Sequence, residues 1–140
     1  MVPVLVTAAI LFNSEGRILI AQRNNESKLA SKWEFPGGKI EPRETPQKCL
    51  YRELIEEMGI HVQVGFLFER VYHSYDHGSI ELQAYLCSID KGNPQALEHQ
   101  EIRWVAIQDI LKYDLAPADI PIAQKLIREG EALVRNRENI

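Results

Sequence analysis

The sequence contains few cysteines and no long apolar segment. Its 140 residues include two cysteines, Cys49 and Cys87, and no Cys-x-x-Cys motif. We interpret both as small, partly buried thiols of a protein in a reducing cytosol. The apolar beginning of the chain, MVPVLVTAAILF, lacks a basic flank and reaches a polar turn at residues 13–16 before it is long enough to cross a bilayer. We therefore expect no signal peptide, no membrane partner and a cytoplasmic location.

An excess of positive charge is also missing. The chain has 16 lysines and arginines against 20 aspartates and glutamates, which gives a net charge of −4. Such a chain is poorly suited to gripping a nucleic-acid polymer through its phosphates. We expect a small anionic partner instead, held with the help of metal ions. The length predicts one domain over residues 1–140, and the sequence leaves monomer and homodimer open.

Strand-like and helix-like segments alternate without a regular βαβ order. We predict strands over residues 4–12, 17–22, 61–75, 79–88 and 101–105, with the first two forming a hairpin around the turn at 13–16. A short extended piece at 33–35 precedes a predicted loop at 36–38. Residues 107–112 form a short helical turn, and 122–134 have helical apolar spacing. The pattern predicts a mixed β-sheet flanked by helices on both sides, an α/β fold.

The helix predicted after residue 44 carries the strongest signal. Thr45 is a typical N-cap, Pro46 fits the first helical position, and Gly59 is a typical stop after Met58. At 3.6 residues per turn, one side of this helix is apolar and the opposite side is acidic. Its apolar face comprises Leu50, Tyr51, Leu54, Ile55 and Met58, and its acidic face comprises Glu53, Glu56 and Glu57.

Three carboxylates on one helix face repel each other unless a divalent cation lies among them. Cleavage of a pyrophosphate link needs such a cation, because phosphate oxygens must be neutralised and a water activated. A carbonyl of the glycine loop at residues 36–38 would add a ligand. Arg52 would orient Glu53 or balance its charge, and Glu44 would orient the loop or join the cluster. The alternative is an ordinary solvated acidic face, which the full spacing of residues 38–60 argues against.

That stretch, GKIEPRETPQKCLYRELIEEMGI, resembles the Nudix box at every defining position. The string WEFPGGK at residues 33–39 is similar to the MutT-type branch of that family. The similarity runs from the first strand through residues 21–23 to 97–100 and 115–121. The resemblance implies a Nudix α/β/α sandwich and Mg²⁺- or Mn²⁺-dependent hydrolysis of a nucleoside triphosphate to the monophosphate and pyrophosphate, in nucleotide-pool sanitation and DNA repair.

The resemblance also implies roles for individual residues. Metal is expected at Gly37, Glu53, Glu56, Glu57 and Glu98. Glu98 corresponds to an extra glutamate that serves as a further ligand or base, and which glutamate is the general base stays open. Nucleotide contacts are expected from Arg23, more weakly from Lys28, and from Glu34, Phe35, Pro36, Gly37, Gly38 and Lys39. His99, next to Glu98, is a lesser candidate for a phosphate contact.

Asp119 bears on which base is recognised. The resemblance places it where enzymes that remove 8-oxo-dGTP often have asparagine. An ionised aspartate only accepts hydrogen bonds, which suits an exocyclic amino group such as N4 of cytosine and disfavours O6 of guanine. It would still accept from the N7–H of 8-oxoguanine. We therefore expect CTP or a modified nucleotide, with 8-oxo-dGTP as the alternative. The alternative for Asp119 is an N-cap of the last helix, and the two roles are compatible.

Two alternatives to an enzyme are a nucleotide-binding sensor and a protein-binding scaffold. A nucleotide-binding sensor with this fold would have lost a glutamate or the arginine of the box, and this chain retains them all. A scaffold whose acidic face binds a basic protein would tolerate neutralisation of Glu57. The intact pattern favours catalysis.

Overall fold

The computed structural model describes residues 2–26, 28–76 and 78–138. Within them it forms seven strands and two α-helices. In chain order these are β1 (Val4–Leu11), β2 (Ile18–Gln22), β3 (Trp33–Glu34), β4 (Gly37–Lys39), α1 (Pro46–Met58), β5 (His61–Tyr75), β6 (Gly78–Lys91), β7 (Glu101–Val105) and α2 (Ile120–Glu138). Two 3₁₀ helices, Ile107–Lys112 and Pro117–Asp119, lie between β7 and α2.

The strands form two sheets rather than one. The larger sheet has the order β4-β1-β6-β5, in which β1 and β6 are parallel and the other pairs are antiparallel. The smaller sheet has the order β3-β2-β7 and is antiparallel throughout. In the described part of the chain, no helix is both long and apolar enough to span a membrane.

Two apolar clusters lie on opposite sides of these strands. Ile10 of β1 belongs to the cluster that contains Leu126 of α2, whereas the next residue, Leu11, belongs to the cluster that contains Leu54 of α1. Successive side chains of a strand point to opposite faces, so β1 is covered by one helix on each side. The predicted class, a mixed α/β fold flanked by helices, is therefore confirmed.

The predicted hairpin of the first two strands is wrong beyond its turn. Asn13 organises the turn through backbone and side-chain bonds to Arg17 N and O, and Phe12 and Ile18 form a single antiparallel bridge. The strands then separate into different sheets. Both edges of β1 are occupied by β4 and β6, so no edge is left for β2. The competing partners are distant in sequence, which local turn signals do not reveal.

The predicted glycine loop is also partly wrong, because Gly37–Lys39 form strand β4 against β1. A Cβ on Gly37 would lie 2.0 Å from the carbonyl oxygen of Thr7, so this pairing needs glycine. Several element boundaries differ as well. Strand β6 continues to Lys91, and α2 begins at Ile120, two residues before the predicted start, and continues to Glu138.

Helix α1 has the predicted ends. Thr45 Oγ1 accepts from Lys48 N at 3.1 Å, and Gly59 closes the helix in the left-handed region with φ of 69°. Its buried residues are Cys49, Leu50, Leu54 and Met58. Tyr51 does not belong to the apolar face as predicted, since it is 45% exposed and its hydroxyl lies 3.0 Å from His61 Nδ1. Cys49 and Cys87 are free and buried.

The burial of α1 leads to a test of its packing. Leu54→Ala should lower the free energy of unfolding by about 2–5 kcal/mol, because Leu54 is fully buried and the change leaves a cavity. Lys48→Ala, at an exposed position of the same helix, should change it by less than about 0.5 kcal/mol. Urea denaturation of both variants measures this, and equal effects would contradict the packing of α1 against the sheet.

Candidate active site

Arg52 lies at the centre of a group of carboxylates on the outer face of α1. Its Nε donates to Glu44 Oε2 at 2.7 Å and its Nη2 to Glu44 Oε1 at 3.0 Å. Its Nη1 donates to Glu53 Oε1 at 2.8 Å and, more weakly, to Glu56 Oε2 at 3.4 Å. The hydrogen bonds from Arg52 lower the pKa of Glu44 to about 2. The structure thus brings together four of the residues to which the sequence assigned catalytic or metal-binding roles.

The same arginine connects α1 to strand β4. Arg52 Nη2 lies 3.3 Å from the carbonyl oxygen of Lys39. The neighbouring Gly38 leaves room for Glu53, because a Cβ at that position would fall 2.4 Å from the Glu53 carboxyl carbon. The carbonyl of Gly38 accepts from Thr7 Oγ1 at 3.2 Å, which ties this end of β4 to β1. Backbone and carboxylate are therefore packed directly against each other.

Glu57 marks the centre of the acidic cluster. Its Oε2 is buried and has no hydrogen-bond partner among the residues that the structure describes. Burial, followed by the charges of Glu53, Glu34 and Glu98, raises the pKa of Glu57 to about 9. Glutamates from α1, from β3 and from the segment before β7 therefore converge on this point. Glu56 lies further out, with its side chain 53% exposed.

A second group of contacts surrounds residues 34 and 35. Glu34 Oε1 accepts from Arg23 Nη1 at 3.0 Å, and Glu34 Oε2 lies 3.0 Å from His99 Nε2. Phe35 N donates to Asp119 Oδ1 at 3.0 Å. Arg23, Glu34, Phe35 and Asp119, all predicted nucleotide contacts, thus lie together. Among the described contacts, none joins the exposed side chains of Lys28 and Lys39 to this group.

Asp119 is buried at the end of the second 3₁₀ helix. Burial, and then the charge of Glu34, raises its pKa well above the usual range. Its carboxyl group accepts from the Phe35 amide, which joins the second 3₁₀ helix to the residue after β3. Asp119 also directly precedes α2, the position at which an N-cap was predicted. Nearby, Tyr75 Oη accepts from Ala118 N at 3.3 Å. The residues next to Tyr75 in sequence do not predict this contact, which joins β5 to a segment 43 positions away.

Comparison with known proteins identifies the family. The NUDIX domain family matches residues 7–125. The chain belongs to this family. It is 42% identical over 119 residues to the CTP pyrophosphohydrolase of Escherichia coli K12, which covers 85% of this chain and 87% of that protein. It is 36% identical over 123 residues to the 8-oxo-dGTP diphosphatase of the same organism, covering 88% and 95%. The resemblance predicted from residues 33–60 is confirmed.

A solved structure agrees with the fold. The solution structure of the E. coli ORF135 protein matches with a TM-score of 0.81 at 39% identity, and the match covers 94% of each chain. The two-sheet arrangement with flanking helices is therefore that of a Nudix hydrolase, and the similarity extends over nearly the whole chain.

Members of this family generally use a divalent metal ion. The residues of this site fit one. Carboxylate oxygens are the ligands that hard cations prefer, and Glu57 Oε2 is a buried acceptor that lacks a donor within the described chain. Among the described residues, no three acidic, histidine or cysteine side chains are arranged so that they could hold a metal ion as they stand. In the metal-free site, the guanidinium of Arg52 occupies oxygens of Glu53 and Glu56 that are predicted to bind the metal.

The raised pKa of Glu57 predicts how stability varies with pH in the metal-free protein. Its folded pKa, about 9, exceeds the ordinary value of 4.5, so stability is fully present below pH 4.5 and is lost as the pH rises through 9. Glu57→Gln removes this loss. The melting temperature of Glu57→Gln should therefore exceed that of the wild type by a margin that widens from pH 5 to pH 9.

Thermal melts in the presence of a chelator measure this margin. Glu129→Gln, an exposed position on α2, serves as the matched control and should show no such widening. A constant or shrinking margin for Glu57→Gln would contradict the crowded acidic cluster.

Proposed function

We propose that this protein hydrolyses nucleoside triphosphates to nucleoside monophosphates and pyrophosphate with the help of Mg²⁺ or Mn²⁺. The observation that supports this most directly is the convergence of Glu53, Glu34 and Glu98 on the buried, unpaired oxygen of Glu57. The two E. coli relatives are named for hydrolysis of nucleoside triphosphates, which supports the same class of reaction. We further propose a single domain over residues 1–140 that acts in the cytoplasm on free nucleotides and not on nucleic-acid polymers.

The family resemblance and the contacts of the described residues together support the following roles. The metal would be held by Gly37, Glu53, Glu56, Glu57 and Glu98. A divalent ion there supplies charge neutralisation for the oxygens of the triphosphate. Arg52 fixes the carboxylate of Glu53 by its hydrogen bond, so that this ligand is oriented before substrate arrives. Glu44 binds the guanidinium at both oxygens and thereby fixes Arg52 itself.

In the proposed reaction, a glutamate of the cluster takes a proton from water, and the water oxygen attacks a phosphorus of the triphosphate. The phosphoanhydride bond between the α- and β-phosphates breaks, its bridging oxygen keeps the electron pair, and the products are the nucleoside monophosphate and pyrophosphate. Arg23 lies beside Glu34 and Phe35 and would hold the nucleotide from that side. A sensor without turnover is less well supported, because Arg52, Glu44 and Glu53 already make the bonds that an active site requires.

Asp119 supports two candidates for the base. If it is ionised, it accepts only, which favours the exocyclic amino group of CTP or of a modified (d)NTP. The structure adds a second observation, because burial favours the neutral carboxyl, which both donates and accepts. A neutral Asp119 can donate to O6 of a guanine, and this favours 8-oxo-dGTP as the second candidate. Both proposals place the same residue against the base.

The metal-site proposal leads to an activity test. Glu53→Gln and Glu57→Gln should each lower kcat by roughly 10³-fold or more with the fold retained, since each removes a charged oxygen from the cation and the transition state. Colorimetric phosphate release, with pyrophosphatase added and Mg²⁺ present, measures turnover, and circular dichroism checks the fold. Glu129→Gln is the matched control. Near-wild-type turnover in either site variant would refute the assignment.

The base proposal leads to a substrate panel of CTP, dCTP, 5-methyl-dCTP, 8-oxo-dGTP, 2-hydroxy-dATP and dGTP. Asp119→Asn keeps an oxygen for Phe35 N but always offers both a donor and an acceptor. It should change the ratio of kcat/KM between CTP and 8-oxo-dGTP by about 10-fold or more. An unchanged ratio would contradict an ionised acceptor at Asp119. In that case Asp119→Leu separates the remaining two roles, since it should change the ratio only if a neutral Asp119 contacts the base.

A further inference from the structure

His99 makes a contact that the proposed reaction does not use. Its side chain is only 7% exposed, and its Nε2 lies 3.0 Å from Glu34 Oε2. The other oxygen of Glu34 accepts from Arg23. Because Glu34 acts as acceptor toward Arg23, we assign the proton of this second bond to Nε2, and the imidazole is the donor. The ring thus joins the segment before β7 to strand β3, across 65 positions of sequence.

The segment around His99 is held at both ends by backbone bonds. Leu97 N donates to Glu57 O at 3.1 Å, and Gln100 N donates to Gln22 O at 2.9 Å. Glu98 and Leu97 themselves are exposed. Between these two backbone bonds, the exposed side chain of Asn24 donates from Nδ2 to the carbonyl of Glu98 at 3.3 Å, and His99 supplies a buried side-chain anchor. His99 adjoins the glutamate that we propose as a metal ligand or base.

The ring position is costly for stability. Its Nδ1 is buried, and the described residues offer it no hydrogen-bond partner. A buried polar atom without a partner destabilises the folded state, and few such atoms occur in native proteins. An apolar side chain of similar size would avoid this cost, so stability alone does not account for a histidine here. The bond from Nε2 to Glu34 is what an apolar residue would lose.

We propose that His99 is a positioning residue, whose bond to Glu34 holds segment 97–100 so that Glu98 faces the glutamates of α1. The proposal rests on the proposed function, because Glu98 matters to the reaction only there. Catalysis is sensitive to such placement, since a misplacement of about 1 Å costs up to roughly 100-fold in rate. The effect is expected in kcat more than in KM, because Glu34, a predicted nucleotide contact, keeps its bond to Arg23 when the bond from His99 is lost.

The decisive variants are His99→Leu, which removes the donor, and His99→Gln, whose side-chain amide can donate to Glu34 from nearly the same place. His99→Leu should lower kcat about 10- to 100-fold, with KM changed less than about threefold and the melting temperature unchanged or raised. His99→Gln should recover most of that loss. His61→Leu, which removes a histidine that contacts Tyr51 outside this site, is the matched control and should keep wild-type kcat.

A double-mutant cycle separates positioning from a general structural role. In a Glu98→Gln background, His99→Leu should cost less than about threefold, because the residue that it positions is already disabled. Additive losses, or a kcat for His99→Leu within about threefold of wild type, would overturn the proposal. Should His99→Leu fail to fold, His99→Asn, whose amide is too short to reach Glu34, takes its place with the same expectations.

Amide hydrogen exchange in the metal-free protein gives a readout that does not depend on turnover. The amides of Leu97 and Gln100 should exchange faster in His99→Leu than in wild type and should regain protection in His99→Gln. Unchanged protection would overturn the proposal even if activity falls. If wild type releases no pyrophosphate from any nucleotide, the proposed function fails, whereas the exchange data still decide whether His99 holds the segment.

Discussion

The crowding of negative charge around Glu57 is the constraint on which the site depends. Glu53 lies on the same helix face, and Glu34 and Glu98 approach from other elements. Like charges in a partly buried position repel far more strongly than in water, so this arrangement lowers the stability of the metal-free fold. The opposite face of α1, with Leu50 and Leu54 fully buried, offsets that repulsion by packing. The helix is therefore held rigidly while its outer face stays electrostatically unsatisfied.

Arg52 relieves only part of this repulsion. Its guanidinium is engaged by both oxygens of Glu44 and by Glu53. Because its donors already point toward these partners, Glu57 receives no donor from it, and Glu57 Oε2 is left without a partner among the described residues. One part of the cluster is neutralised by a fixed cationic side chain, and the other part retains the oxygen-rich character that a mobile divalent ion requires. The division follows from the bonds of a single arginine.

Features set by neighbouring residues were predictable from the sequence, and those set by distant contacts were not. Helix α1 has its predicted ends because Thr45 and Gly59 act through bonds within their own turn. The hairpin prediction failed because β1 pairs with β6, which lies some 75 residues away in sequence. The bond between His99 and Glu34 was not predicted for the same reason, since the two residues are 65 positions apart and no local sequence pattern indicates their contact.

Among the site residues, contacts between sequence neighbours were likewise predictable, and contacts between distant elements were not. The spacing within residues 44–57 places Arg52 beside its carboxylates, because all of them lie on one helix or just before it. The convergence of Glu34 and Glu98 on Glu57 needs the sheet and the segment before β7 to be in place. Resemblance to the family named Asp119 as a candidate, and His99 was a lesser one beside Glu98, but only the fold shows that both bond one segment of chain.

That segment is residues 34–38. It connects the contacts around Glu34 and Phe35 to the carboxylate group around Arg52. Glu34 bonds Arg23 and His99, and Phe35 N bonds Asp119 on the side where the base is proposed to bind. Three residues further on, Gly38 lies directly against the carboxylate of Glu53. Because β4 pairs with the buried strand β1, this short piece of backbone cannot shift at one end without moving the other. In the proposed function, one stretch of five residues would therefore lie against both the base and the phosphates.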